Sequence, residues 1–232
     1  LPGDLLAKLA QTITDAGNNN KIKVLVLKSG KDRTFCAGAS FKELININDE
    51  ATGKVFFSGF ANVINAMRKC PKFIIGRIQG KTVGGGVGLA ASTDYCMATK
   101  FAAIKLSELN VGIGPFVVGP AIERKIGLSG MSQIAIDADS FYSAEWAKQK
   151  GLFTQVYDST DDLDEAVKEF AENLCNYNTE AEEDDGSCEY VEDCAGDCGG
   201  DAVEDCSGDC EGTAWESDCG CVTVDNSGDD CD

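Results

Sequence analysis

Gly84, Gly85, Gly86 and Gly88 put four glycines into five residues of the segment "KTVGGGVGLAASTDY" (81–95), directly after the apolar run "FIIGRIQG". A carboxylate, Glu108, follows 23 residues after the middle glycine. Backbone this bare can bring N–H groups close to a ligand oxygen, because no side chain holds the ligand away. A carboxylate can take and return a proton. The chain has no histidine, which excludes Ser-His catalysis and His-metal chemistry.

Two phosphate-binding motifs can be tested by counting. "GRIQGKT" ends like a Walker A loop, but Gly76 and Gly80 have three residues between them where that motif requires four. "GVGLAA" from Gly86 fits the relaxed dinucleotide form G-x-G-x-x-A, with Glu108 as the acid about 20 residues on. The strand that should end in that acid is replaced by "FAAIKLSELNVG". A third reading is a tight strand-to-helix turn and nothing more.

The elements that must position these residues alternate. "IKVLVLKSG" reads as a buried strand, followed by a loop "KDRTFCAGASFKEL" and a helix over about 49–68. "KFIIGRIQG" is the next strand. After the glycine loop, "VGLAASTDYCMAT" reads as a short helix running into a strand near 95–98. Helical stretches follow around 122–125 and 131–138, then a strand at "FTQVY" and a helix "DLDEAVKEFAENL". Strands alternating with helices predict an α/β fold with largely buried strands.

Composition divides the chain into two domains, 1–175 and 176–232. The first holds 20 Lys+Arg and 19 Asp+Glu, whereas the second holds no Lys or Arg and 20 Asp+Glu, so the net charge of -19 lies in the tail. The tail also carries 8 of the 12 cysteines and no Leu, Ile, Phe or Met, too little apolar material for an ordinary core. Cys36, Cys70, Cys96 and Cys175 lack metal-ligand spacing and read as core or incidental thiols. The first residues read as a helix (Leu5, Leu6, Leu9, Ile13) and not as a targeting segment. No run approaches the roughly 18 apolar residues of a membrane span. Neither a membrane nor a nucleic-acid partner is expected, and the core suits the cytoplasm.

Taken together, "FCAGASFKEL", "GKTVGGGVGLAASTDY" and "KLSELNVGIGP" resemble, in order and separation, the crotonase family of enoyl-CoA hydratase/isomerase proteins. The resemblance runs over about 1–174. It implies a spiral ββα core of the ClpP/crotonase type, truncated here because the opening strand hairpin and the closing helices are missing. The family function it implies is acyl-CoA chemistry, with coenzyme A as part of the substrate and no separate cofactor or metal. An oxyanion hole for the thioester would be formed by the N–H groups of Ala39 and Gly85, and Glu108 would be the acid/base. Substrate contacts are implied for Ala37, Gly84 and Lys42, the last toward the CoA phosphates. Of the two catalytic glutamates of the family's hydratases, the first, after the glycine loop, falls on Gly88 and the second is Glu108. One carboxylate suits the single-glutamate isomerases, while a hydratase stays open if a second acid comes from another loop. The segments "KLSELNVGIGPFVVGPAIERKIG" and "SAEWAKQKGLFTQVYD" resemble the methylglutaconyl-CoA hydratase-like branch. A homo-oligomer is what the family implies.

The tail resembles the Cys/Asp/Gly repeats of large secreted bacterial proteins, with two dodecapeptides beginning at Val191 and Val203. Its reading is an irregular, disulfide-stapled, extracellular array that holds Ca2+ weakly, or a disordered polyanion with reduced thiols. The alternative function is therefore a non-catalytic fusion, or a secreted disulfide-rich calcium-binding or interaction protein, that retains the truncated core.

Overall fold

The computed structural model describes residues 1–30, 33–176, 215–217 and 220–222. The chain divides into two units, 1–175 and 176–232. In the second, Trp215–Ser217 and Gly220–Val222 pair antiparallel. The dodecapeptides and the calcium reading of the tail lie outside the described residues.

The first unit runs α1 (Gly3–Asn18), β1 (Val24–Lys28), β2 (Thr34–Cys36), α2 (Phe41–Leu44), α3 (Glu50–Lys69), β3 (Phe73–Ile78), β4 (Lys81–Val83) and α4 (Gly85–Ala91). It continues with β5 (Tyr95–Thr99), β6 (Ala103–Lys105), a 3-10 turn (Glu108–Val111), α5 (Gly119–Ile136), β7 (Tyr142–Ser143), α6 (Ala144–Gln149), β8 (Gln155–Tyr157) and α7 (Thr160–Asn176). One sheet has the order β1-β3-β5-β8 and is parallel throughout. The other has the order β2-β4-β6-β7, parallel until β7 joins antiparallel. Three times the chain lays a strand in the first sheet, turns into the second, and leaves through helical structure. This is the spiral ββα core that the motifs imply.

The corners between the sheets are where close approach matters. A Cβ on Gly80 would lie 2.3 Å from the Arg33 carbonyl oxygen, so only glycine lets β4 start beside β2. Gln79 Nε2 donates to the Thr34 carbonyl at 3.1 Å, and Thr99 Oγ1 donates to the Gln79 carbonyl at 2.9 Å. These bonds, the second of them fully buried, tie successive turns of the spiral together.

Helix α3 buries Phe60, Val63, Ile64 and Met67 at the i, i+3, i+4, i+7 spacing of one helical face. Its start is held by a capping box between Asp49 and Thr52. Helix α7 packs Leu163 and Val167 on Ile75 and Met97. Two residues away on β3, Arg77 is buried and donates twice to Asp164 of α7, at 2.7 and 2.8 Å. Those bonds hold the Asp164 carboxyl below its ordinary 3.8. A depressed carboxylate adds stability that is present above 3.8 and lost as pH falls through the lowered native value. Asp164→Ala should cost about 1.5 kcal/mol near neutrality, the low end for bonds to a charged group because this carboxylate is half exposed. Urea titrations of both proteins from pH 7 to pH 3 check this: a gap that ignored pH would mean that the pair contributes nothing electrostatic.

The long elements lie where their patterns predict, but β1, expected as a buried strand, lies at its sheet's edge with no buried residue, and α2 forms within the stretch expected as loop. Thr34–Cys36, expected as loop, forms β2, and the other members of that sheet have two or three residues each, too few to show a period. The two helical stretches expected after 119 form one helix broken at Gly127, whose φ is +71°. Cys36 and Cys96 are buried free thiols, and burial pushes Cys96 up to about 12. Among the described residues no helix is long and apolar enough to cross a membrane.

Candidate active site

The glycine loop joins β4 to α4 and is pinned by Gly84, whose N–H donates to the Lys105 carbonyl of β6 at 2.9 Å. Gly84 has φ +54°, a backbone that L side chains rarely adopt. Gly38, at φ +84°, turns the preceding loop so that a Cβ on it would be 3.2 Å from the Val83 carbonyl and 3.7 Å from the Gly85 nitrogen. A Cβ on Gly86 would lie 2.6 Å from the Cys36 carbonyl. Bare backbone is what allows the two loops to touch. Gly85 opens α4, where the first N–H groups have no intrahelical acceptor. Among the described residues, neither its N–H nor that of Ala39 has a protein acceptor.

Ala37, Ala39, Gly84, Gly85 and Glu108 all line one cavity of about 210 Å³. Segments far apart in sequence therefore converge. Glu108 begins the 3-10 turn after β6, which brings its carboxylate under the loop: a Cβ on Gly84 would be 3.2 Å from its Oε1. Its Oε2 is buried with no hydrogen-bond partner among the described residues. Burial pushes the Glu108 carboxyl above its ordinary 4.5. A more basic carboxylate with one unpartnered oxygen, beside free N–H donors, can move a proton at a carbon next to a carbonyl.

Lys42 does not line this cavity; it stands exposed on α2. Gly88 is buried, and a Cβ there would be 2.5 Å from Val118 Cγ1 and 3.4 Å from Ile64 Cδ1. The volume that a side chain at 88 would need is already filled. Gly88→Glu should therefore destabilise the protein by about 1–3 kcal/mol without supplying a usable second acid. Thermal melts and a hydration assay check this; a stable variant that gained hydration would show that Val118 yields.

Sequence reasoning missed the apolar wall. Phe56, Phe57 and Phe60 come from α3, and Val111, Ile113 and Val118 from the stretch after Glu108. Phe56 and Phe60 are four residues apart on one helix, a signal that reads equally well as core. Among the described residues no group of three or more acidic or thiol side chains could hold a metal ion.

The enoyl-CoA hydratase/isomerase family matches residues 1–182. The mitochondrial methylglutaconyl-CoA hydratase of Mus musculus is 29% identical over 169 residues, 72% of this chain and 53% of that protein. The peroxisomal Delta(3,5)-Delta(2,4)-dienoyl-CoA isomerase of Arabidopsis thaliana is 26% identical over 186 residues, 74% of this chain and 65% of that protein. The chain spans about half the length of several curated relatives it matches. Among solved structures, the enoyl-CoA hydratase of Bacillus anthracis superposes with a TM-score of 0.70 at 27% identity, covering 75% of this chain and 67% of that one. The enoyl-CoA hydratase of Mycobacterium smegmatis gives 0.71 at 25% identity, with 75% and 66% covered.

Proposed function

The chain belongs to the enoyl-CoA hydratase/isomerase family, and from that premise we propose that it is an acyl-CoA thioester enzyme in which the N–H groups of Ala39 and Gly85 hold the thioester oxygen and Glu108 moves the proton. The observation that carries this reading is the convergence, on a single cavity, of two backbone donors without a protein acceptor among the described residues and one carboxylate oxygen without a partner. Charge develops on the thioester oxygen when a proton leaves the α-carbon. Fixed donors aimed at that oxygen are worth about 2.7–4 kcal/mol each at the transition state.

With one carboxylate, the favoured reaction is migration of a double bond. Glu108 takes a proton from C2 of a 3-enoyl thioester, the electron pair spreads over the dienolate, and the same proton returns at C4 to give the 2-enoyl thioester. Hydration needs a second group to activate water and divide the proton transfers, and Val118 fills the space beside Gly88 from which that group would project. Lys42 is proposed to meet the CoA phosphates outside the cavity.

Offering the purified protein a 3-enoyl-CoA and a 2-enoyl-CoA tests the reading. Isomerisation of the first should outpace hydration of the second. Hydration without isomerisation would overturn the one-base mechanism, and failure to bind either thioester would favour a non-catalytic protein that retains the fold.

A further inference from the structure

The acyl-CoA reading, on which this inference rests, leaves the acyl group open, and the cavity wall narrows it. Among the described residues that line it, Glu108 is the one charged side chain; the others are glycine, alanine, serine, proline and apolar side chains. Lys42 and Lys54, on α2 and α3, are exposed and do not line it. A thioester whose carbonyl meets Ala39 and Gly85 while CoA stays outside must lay its acyl chain against Phe56, Phe57, Phe60, Ile113 and Val118. We propose that this cavity accepts neutral, apolar acyl groups and rejects acyl groups that carry a second carboxylate. An entering carboxylate would lose its hydration, find no cation to pair with among the described lining residues, and meet Glu108, a group of its own sign. Rejection by an unpaired buried charge is a stronger discriminator than a mismatch in shape. The proposal departs from the methylglutaconyl thioester that the local resemblance implies, whose acyl group carries a free carboxylate.

Calorimetric titration of the full 232-residue protein with two saturated thioesters tests this without turnover. Glutaryl-CoA carries the second carboxylate, and 5-methylhexanoyl-CoA places an isopropyl group in the same position; CoA alone is the reference. The neutral thioester should bind at least about a hundredfold more tightly than glutaryl-CoA. Adding a cation to the wall with Ile113→Lys or Val117→Lys should narrow that ratio at least about tenfold. Affinities of the two thioesters within about threefold of each other would overturn the proposal, as would a ratio that neither lysine variant changes. A neutral thioester that binds no better than CoA would remove the acyl site itself, and so the underlying reading along with this one.

Discussion

Replacing Glu108 with glutamine should lower turnover of a 3-enoyl-CoA by at least about a hundredfold, since a positioned general acid/base is worth roughly 10² to 10⁴. Glutamine keeps the size of the side chain and removes its ability to accept a proton. The loss should therefore fall on kcat and leave KM nearly unchanged. The pH profile supplies an independent readout. Burial places the Glu108 carboxyl above 4.5, so the parent rate should fall as pH drops through that raised value, where the base becomes protonated. Residual turnover in Glu108→Gln should not follow the same curve. Unchanged turnover in the variant would remove Glu108 from the mechanism whatever the pH behaviour.

The second large effect concerns the backbone donor at Gly85. Proline there deletes the N–H while keeping a helix-compatible backbone at the first position of α4. It also adds a Cβ, and a Cβ at Gly85 would lie 2.4 Å from Phe60 Cζ. The two consequences can be separated by shortening Phe60. Gly85→Ala with Phe60→Leu keeps the N–H and relieves the overlap, so most activity should return. Gly85→Pro with Phe60→Leu relieves the overlap without the donor, and should remain about 10² to 10³ below the parent. Equal rates in the two double variants would mean that the Gly85 N–H is not used.

Local pattern carried the elements that are long enough to show one. β3 is buried from Ile74 to Ile78, as a central strand of a parallel sheet covered on its faces should be, whereas β1 lies at the sheet's edge with no buried residue; α3 repeats its buried residues at helical spacing. The second sheet was not legible. Its strands are two or three residues long, shorter than any periodicity can register, and they exist because the first sheet's corners deliver them side by side. Cys36 illustrates this: in sequence it belongs to a loop, while in the fold it is buried in β2 with its carbonyl against Gly86.

The sequence by itself determined which chemical groups are available to this protein: glycines that leave backbone N–H groups approachable, one carboxylate at a fixed separation, no imidazole, and a tail that carries the excess negative charge. Those are properties of residue type and order, and they need no coordinates. Only the tertiary structure decided that Ala39, Gly85 and Glu108 share one cavity, that Lys42 stands outside it, and that Phe56, Phe57 and Phe60 wall it. It also decided that Val118, 30 residues after Gly88, fills the space a side chain there would enter. Convergence and exclusion of this kind depend on which surfaces meet when distant segments pack. Packing is set by the volume of every neighbour at once, a quantity that no local spacing encodes.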